Sequence, residues 1–63
     1  MLENHSYNLI EQMAEENKSL WRIKNEYKKD TSGCSECSAF WEKLEKDKET
    51  HIADLKVLIK THL

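Results

Sequence analysis

Apolar residues recur through the first half of the chain at Leu2, Leu9, Ile10, Met13, Leu20, Trp21, Ile23 and Tyr27, many of them three, four or seven positions apart. That spacing gathers them on one face of a helix and predicts an amphipathic helix over residues 2–30. The second half is more regular. Cys37, Trp41, Leu44, Lys48, His51, Leu55, Leu58 and His62 follow one another in alternating steps of four and three. Phe40, Ile52 and Ile59 flank this stripe and widen it beyond a coiled-coil seam, as a bundle helix requires. A second helix is predicted over residues 36–62.

The one breaker lies between the two patterns. Gly33 is the only glycine and proline is absent. Glycine closes a helix by taking the left-handed conformation, and Lys28 and Lys29 suit the negative end of the first helix. Ser35 is a candidate N-cap for the second helix with Glu36 in its first turn, and Cys34 competes for the cap. A turn confined to residues 31–35 forces the helices antiparallel. The expected fold is all-α, a single helical hairpin over residues 1–63, with arms about 40 Å long. Folding about Gly33 sets Tyr27 near Phe40, Ile23 near Leu44, Ile10 near Val57, and Glu15 or Glu16 near His51.

Length changes this picture. A domain of about 60 residues buries only about 60% of its unfolded surface, so it needs a disulfide framework, a metal or a partner. Two cysteines make no framework. The apolar stripes are also too wide for one facing helix. A homodimer is therefore expected, two hairpins completing a four-helix bundle, with a different partner protein as the alternative occupant of the stripe.

Charge removes some partners. Acids and bases intersperse to a net charge of −2, and Lys28-Lys29 is the densest basic cluster, so no nucleic-acid partner is expected. No apolar run approaches the roughly 20 residues that span a bilayer, and no signal peptide is recognised. A soluble cytoplasmic protein without membrane contact is the expectation. Thiols stay reduced in that compartment, which favours metal or redox chemistry over a structural bridge.

The Cys34-Ser35-Glu36-Cys37 motif is the main candidate for chemistry. Zinc takes four ligands, so one pair supplies half a site. Hairpins meeting apex to apex would gather four thiolates. Hairpins meeting apex to open end would give each cysteine pair the partner chain's His5 and His62. The rival is redox chemistry, with Cys34 activated by the helix N-terminus and Cys37 resolving, although no strand precedes the motif. The plain alternative makes Cys37 a packing residue and Cys34 a loop residue. The apex-to-apex arrangement resembles the zinc hook of long coiled-coil proteins, which sets Cys-x-x-Cys at a hairpin tip. That family often carries a proline inside the motif, where this chain has Ser35-Glu36.

His51 sits on the second stripe with Asp47 and Asp54 nearby on the same helix. The stretch FWEKLEKDKETHIADLKVLI, residues 40–59, resembles the bundle helix of rubrerythrin and other ferritin-like proteins, whose pattern runs Glu-x-x-His. His51 matches the histidine, and Lys48 stands where that pattern has its glutamate. The resemblance implies half of a ferritin-like bundle completed by dimerisation, with a degenerate or absent di-iron centre. His51 and Glu16 are the candidate iron ligands, iron being a lesser expectation than zinc. Asn17, Lys24 and Lys48 near the seams are candidates for fixing register.

Trp21, Tyr27, Phe40 and Trp41 gather toward the apex, where core packing is their expected role. The chain contains no nucleophile elbow and no glycine-rich phosphate loop, and two helices build no deep pocket. Enzyme activity is not expected of the chain by itself. The expected function is a helical-hairpin self-association or interaction module that binds zinc through its apical cysteines. The alternative is a ferritin-like metal or thiol-redox protein.

Overall fold

The computed structural model describes residues 4–31 and 33–62. Among the described residues every regular element is helical, and two arms pack antiparallel. The first arm runs as an α-helix over Asn4–Arg22, a π-helical turn over Ile23–Tyr27 and a short α-helical turn over Lys28–Asp30. The second arm is one α-helix, Ser35–His62. The expected helix start at residue 2, with Leu2 on its stripe, lies outside the described residues.

The reversal is short and well bonded. Thr31 Oγ1 donates to Lys28 O at 3.0 Å, and the Cys34 N–H donates to Thr31 O at 2.9 Å. Gly33 has φ 96°, a conformation that costs any side-chain-bearing residue energy. Cys34, rather than Ser35, takes the cap of the second arm. Its carbonyl accepts the Ser38 N–H at 3.0 Å. Ser35 is the first helical residue.

On the first arm the facing seam is Ser6, Leu9, Met13, Glu16, Leu20, Ile23 and Tyr27, all buried or half-buried and spaced by alternating threes and fours. On the second arm the seam is Ser38, Trp41, Glu45, Lys48, Ile52, Leu55 and Ile59. The stripe is thus turned by about one position from the expected one. Trp41, Lys48 and Leu55 face the first arm as expected, and Leu44 is half-buried at the seam's edge. Cys37, His51, Leu58 and His62 are exposed. The physical reason is burial: turning Ile52 and Ile59 inward in place of His51 and Leu58 sheathes two large β-branched side chains. It also leaves His51 at the seam's edge, where its ring reaches an acceptor.

Near the apex Tyr27 packs on Trp41 with ring centroids 4.9 Å apart, where Phe40 was expected, and Phe40 lies outward with its ring edge-on to Trp41 at 5.3 Å. One edge of the hairpin is charged. Lys24 approaches Glu49 at 3.9 Å and Lys28 approaches Glu45 at 3.2 Å, contacts of modest value that align the arms. The opposite edge is a groove lined by Gln12, His51, Asp54 and Leu58 above the Glu16–Lys48 contact.

The π turn is the one irregularity of the first arm. The Lys28 N–H reaches back five residues to Ile23 O, so the turn holds one residue more than an α-helical turn. Asn25 Nδ2 donates to Trp21 O at 2.9 Å, the same back-bond to residue i−4 that Asn17 makes to Met13 O. Ile23 inside this turn is 1% exposed, the most deeply buried side chain described.

The molecule is a rod of 48 × 17 × 13 Å. It exposes 4941 Å², where a compact monomer of its 7.5 kDa exposes about 4,200 Å². Among the described residues no helix is long and apolar enough to cross a membrane.

Candidate functional site

Chemistry-bearing side chains meet at three levels of the rod: its middle, its apex and its open end.

In the middle, Glu16 projects from the first arm into the seam with its side chain 7% exposed. A buried carboxylate needs partners, and two come from adjacent turns of the second arm. Lys48 Nζ donates to Glu16 Oε2 at 2.7 Å, and His51 Nδ1 lies 2.6 Å from Glu16 Oε1. An ionised carboxylate only accepts, so the His51 proton engaged here sits on Nδ1. The Lys48 hydrogen bond holds the Glu16 carboxyl below its ordinary value, against desolvation that pushes the other way, and the His51 hydrogen bond and the two positive charges add to the lowering. Of the two glutamates expected near His51, Glu16 makes the contact. Glu15 pairs with Lys18 on the surface at 3.4 Å. Lys48, expected only as a register residue, is the partner that sequence reasoning undervalued. Its spacing of three from His51 was the signal, since i and i+3 share a helix face.

At the apex, Cys34 and Cys37 are free, exposed thiols side by side on the first turn of the second arm. The Cys37 thiol and the backbone N–H groups of Cys37 and Glu36 donate to the Cys34 sulfur and hold its thiol below the ordinary value. The Cys37 thiol moves up, because donating to Cys34 favours its protonated form and a neighbouring thiolate opposes a second charge. Lys28, Thr31 and Ser38 line the shallow depression in which Cys34 sits.

At the open end, His5 and His62 meet edge to face, with ring centroids 5.7 Å apart and planes at 85°. The fold brings these two residues together from opposite ends of the sequence. It keeps them far from the cysteines: Cys37 and His62 are separated by most of the second arm, about 37 Å at 1.5 Å per residue.

No family model matches the chain, and neither a curated protein nor a solved structure matches it. The chemistry therefore rests on the chain's own side chains. Among the described residues no group of three or more histidine, cysteine or acidic side chains is arranged to hold a metal ion. Each end of the rod offers a pair. Glu16 and His51 form a third pair, with Lys48 occupying one carboxylate oxygen.

Proposed function

We propose that the chain is a self-association module, two hairpins packing into a four-helix bundle, with the apical Cys34–Cys37 pair as a site for zinc or another soft metal. The observation that carries this is the imbalance between core and surface. Ile23 and Ile52 are the buried hydrophobic residues of the described chain, while Tyr7, Ile10, Trp21, Phe40, Val57 and Leu58 are exposed. The surface in excess of a compact monomer is about 700 Å², close to the roughly 800 Å² that each partner gives to a standard interface. The likeness of residues 40–59 to a ferritin-like helix supports the same assembly. Lys48 stands where that pattern needs a glutamate, and its ammonium engages Glu16, which favours a degenerate centre without iron. Two free thiols suit a cytoplasmic location, where cysteines stay reduced. Light scattering tests the assembly: twice the 7.5 kDa chain mass at micromolar concentration is expected, and a stable monomer refutes it.

A second function is favoured by the opposed shifts of the two thiols, the arrangement of an attacking and a resolving cysteine. The Cys34 thiolate attacks a small-molecule disulfide and releases one thiolate, and the Cys37 thiolate then displaces the second. The dithiol is oxidised, the disulfide is reduced to two thiols, and the two cysteine protons pass to the leaving groups. Exposure to glutathione disulfide distinguishes the cases. Fast formation of an intramolecular disulfide, abolished by Cys34→Ser, supports redox chemistry, and thiols that stay free and bind zinc support the metal site.

A further inference from the structure

The two ends of the rod carry complementary halves of a tetrahedral zinc site. We propose that two copies pack antiparallel, so that Cys34 and Cys37 of each chain and His5 and His62 of the other hold one zinc ion between them. Two Cys2His2 sites per dimer result, one at each end. This rests on the self-association proposed above and adds its orientation and its ligand set.

The first support is the pairing already present in one chain. Structural zinc takes four nitrogen or sulfur ligands, with Zn–N near 2.0 Å and Zn–S near 2.3 Å. Two imidazoles on one tetrahedral zinc stand about 5 Å apart, centroid to centroid, at that Zn–N length. His5 and His62 already stand 5.7 Å apart. The cysteines are likewise adjacent, and both are exposed. No third ligand joins either pair among the described residues of one chain.

Symmetry supplies the second support. A two-fold axis across the middle of the rod makes one contact into two, because the apex of each copy then lies beside the open end of the other. Cys37, Leu44, His51 and Leu58 recur every seven residues and run along one edge of the second arm. His51 and Leu58 line the groove on that edge together with Gln12 of the first arm, and His5 lies one heptad before Gln12. Cys37 and His5 therefore belong to the grooved edge of the hairpin, and Cys34 lies beside Cys37 at the apex, in the depression next to Lys28. An antiparallel copy on the grooved edge sets Leu44 opposite residues 52–55 of its partner and Leu58 opposite residues 38–41, where Phe40 is exposed. The Glu16–Lys48–His51 cluster, about half-way between the ends, then meets its own copy at the axis.

The experiment uses the full chain, free of any histidine tag and stripped of metal, titrated with Zn²⁺ and, for spectroscopy, with Co²⁺. The expected result is one metal per chain, a dimer by light scattering, and Co²⁺ bands of a tetrahedral site with thiolate charge transfer. His5→Ala with His62→Ala removes binding, and so does Cys34→Ser with Cys37→Ser. All four side chains are exposed, so both double variants retain their helical circular dichroism. Mixed in equal amounts, the two variants regain a quarter of the wild-type metal when chains exchange at random and up to half when zinc draws them into mixed dimers, since each mixed dimer holds one intact site and one site with no ligands. His62→Cys, which keeps a ligand at that position, retains binding.

Half a metal per chain that survives loss of both histidines overturns the proposal in favour of four thiolates at abutting apices. Failure of the mixture to regain metal overturns it as well. A dimer that takes up no metal overturns the zinc site and leaves the self-association standing, whereas a monomer with and without zinc overturns both.

Discussion

At mid-height the hairpin buries Glu16 and meets it with two donors from the opposite arm. At the apex Cys34 and Cys37 stand exposed, with one another and a capping pair of backbone N–H groups as their hydrogen-bond partners. Both places hold ionisable groups on the same second arm, yet the middle is closed within the chain and the apex is open to a second molecule. Burial explains the difference. A buried carboxylate is tolerated only when paired, so its partners are part of folding. An exposed thiol pair is solvated, folds at no cost, and keeps its ligand capacity free.

Substitutions separate the two regions most sharply at Lys48. Lys48→Met leaves Glu16 with only the half-exposed His51, and a loss of about 2 kcal/mol is expected, reduced from the range for fully buried pairs because Lys48 is partly solvated. Urea denaturation at fixed protein concentration checks it, and an unchanged midpoint would break the contrast. Replacing both partners, Glu16→Leu with Lys48→Met, recovers most of the loss, because an apolar pair leaves no uncompensated charge. Acid probes the same carboxylate. The Glu16 carboxyl is lower in the folded chain than its ordinary value of 4.5, so the folded state holds fewer protons there. Its contribution is complete above that value and is lost as pH falls through the folded pKa. Glu16→Gln flattens that part of the stability curve, and a slope identical to wild type would assign the acid sensitivity elsewhere.

Gly33→Ala should cost about 1 kcal/mol through backbone strain alone, because a Cβ at φ 96° meets nothing within 4 Å. Thermal melts of Gly33→Ala and Gly33→Asn sharpen this, with the asparagine variant intermediate. The smallest stability effect is at the cysteines. Cys37→Ala shifts stability by less than about 0.5 kcal/mol, as an exposed site does, yet raises the Cys34 pKa by removing its largest stabilising donor. Titration of ultraviolet thiolate absorbance reads the rise, and an unmoved Cys34 would show that the backbone cap alone sets its acidity.

The hairpin was legible because its punctuation is local. Gly33 is the only residue free to take a positive φ without penalty, and the apolar periods on either side lead into it. The approach of Glu16 to His51 followed from folding about that point. The rotation of the second seam was not legible, since His51 and Ile52 are neighbours in sequence and both patterns satisfy helical spacing. Choosing between them requires the summed burial of Ile52 and Ile59 against the other arm, a tertiary quantity. Nor does Ile23-Lys24-Asn25-Glu26-Tyr27 carry any mark of its wide turn. Ile23 and Tyr27 keep the three-and-four spacing of the rest of the seam, so periodicity does not announce the extra residue. The meeting of His5 with His62, by contrast, followed from folding about Gly33, which sets both at the open end, where their rings stand 5.7 Å apart.

That wide turn gives the first arm a spare residue. In a helix packed along its whole length, losing one residue rotates everything beyond it by about 100° and takes the buried face out of the core. Here the deletion of Asn25 would convert the π turn to an ordinary α turn while keeping Glu16 below it and Tyr27 above it on the seam. Among single-residue deletions scanned through the first arm, those within Ile23–Tyr27 should be the survivors. A hairpin otherwise intolerant of changes in length therefore has one place where its gene can shorten by a codon.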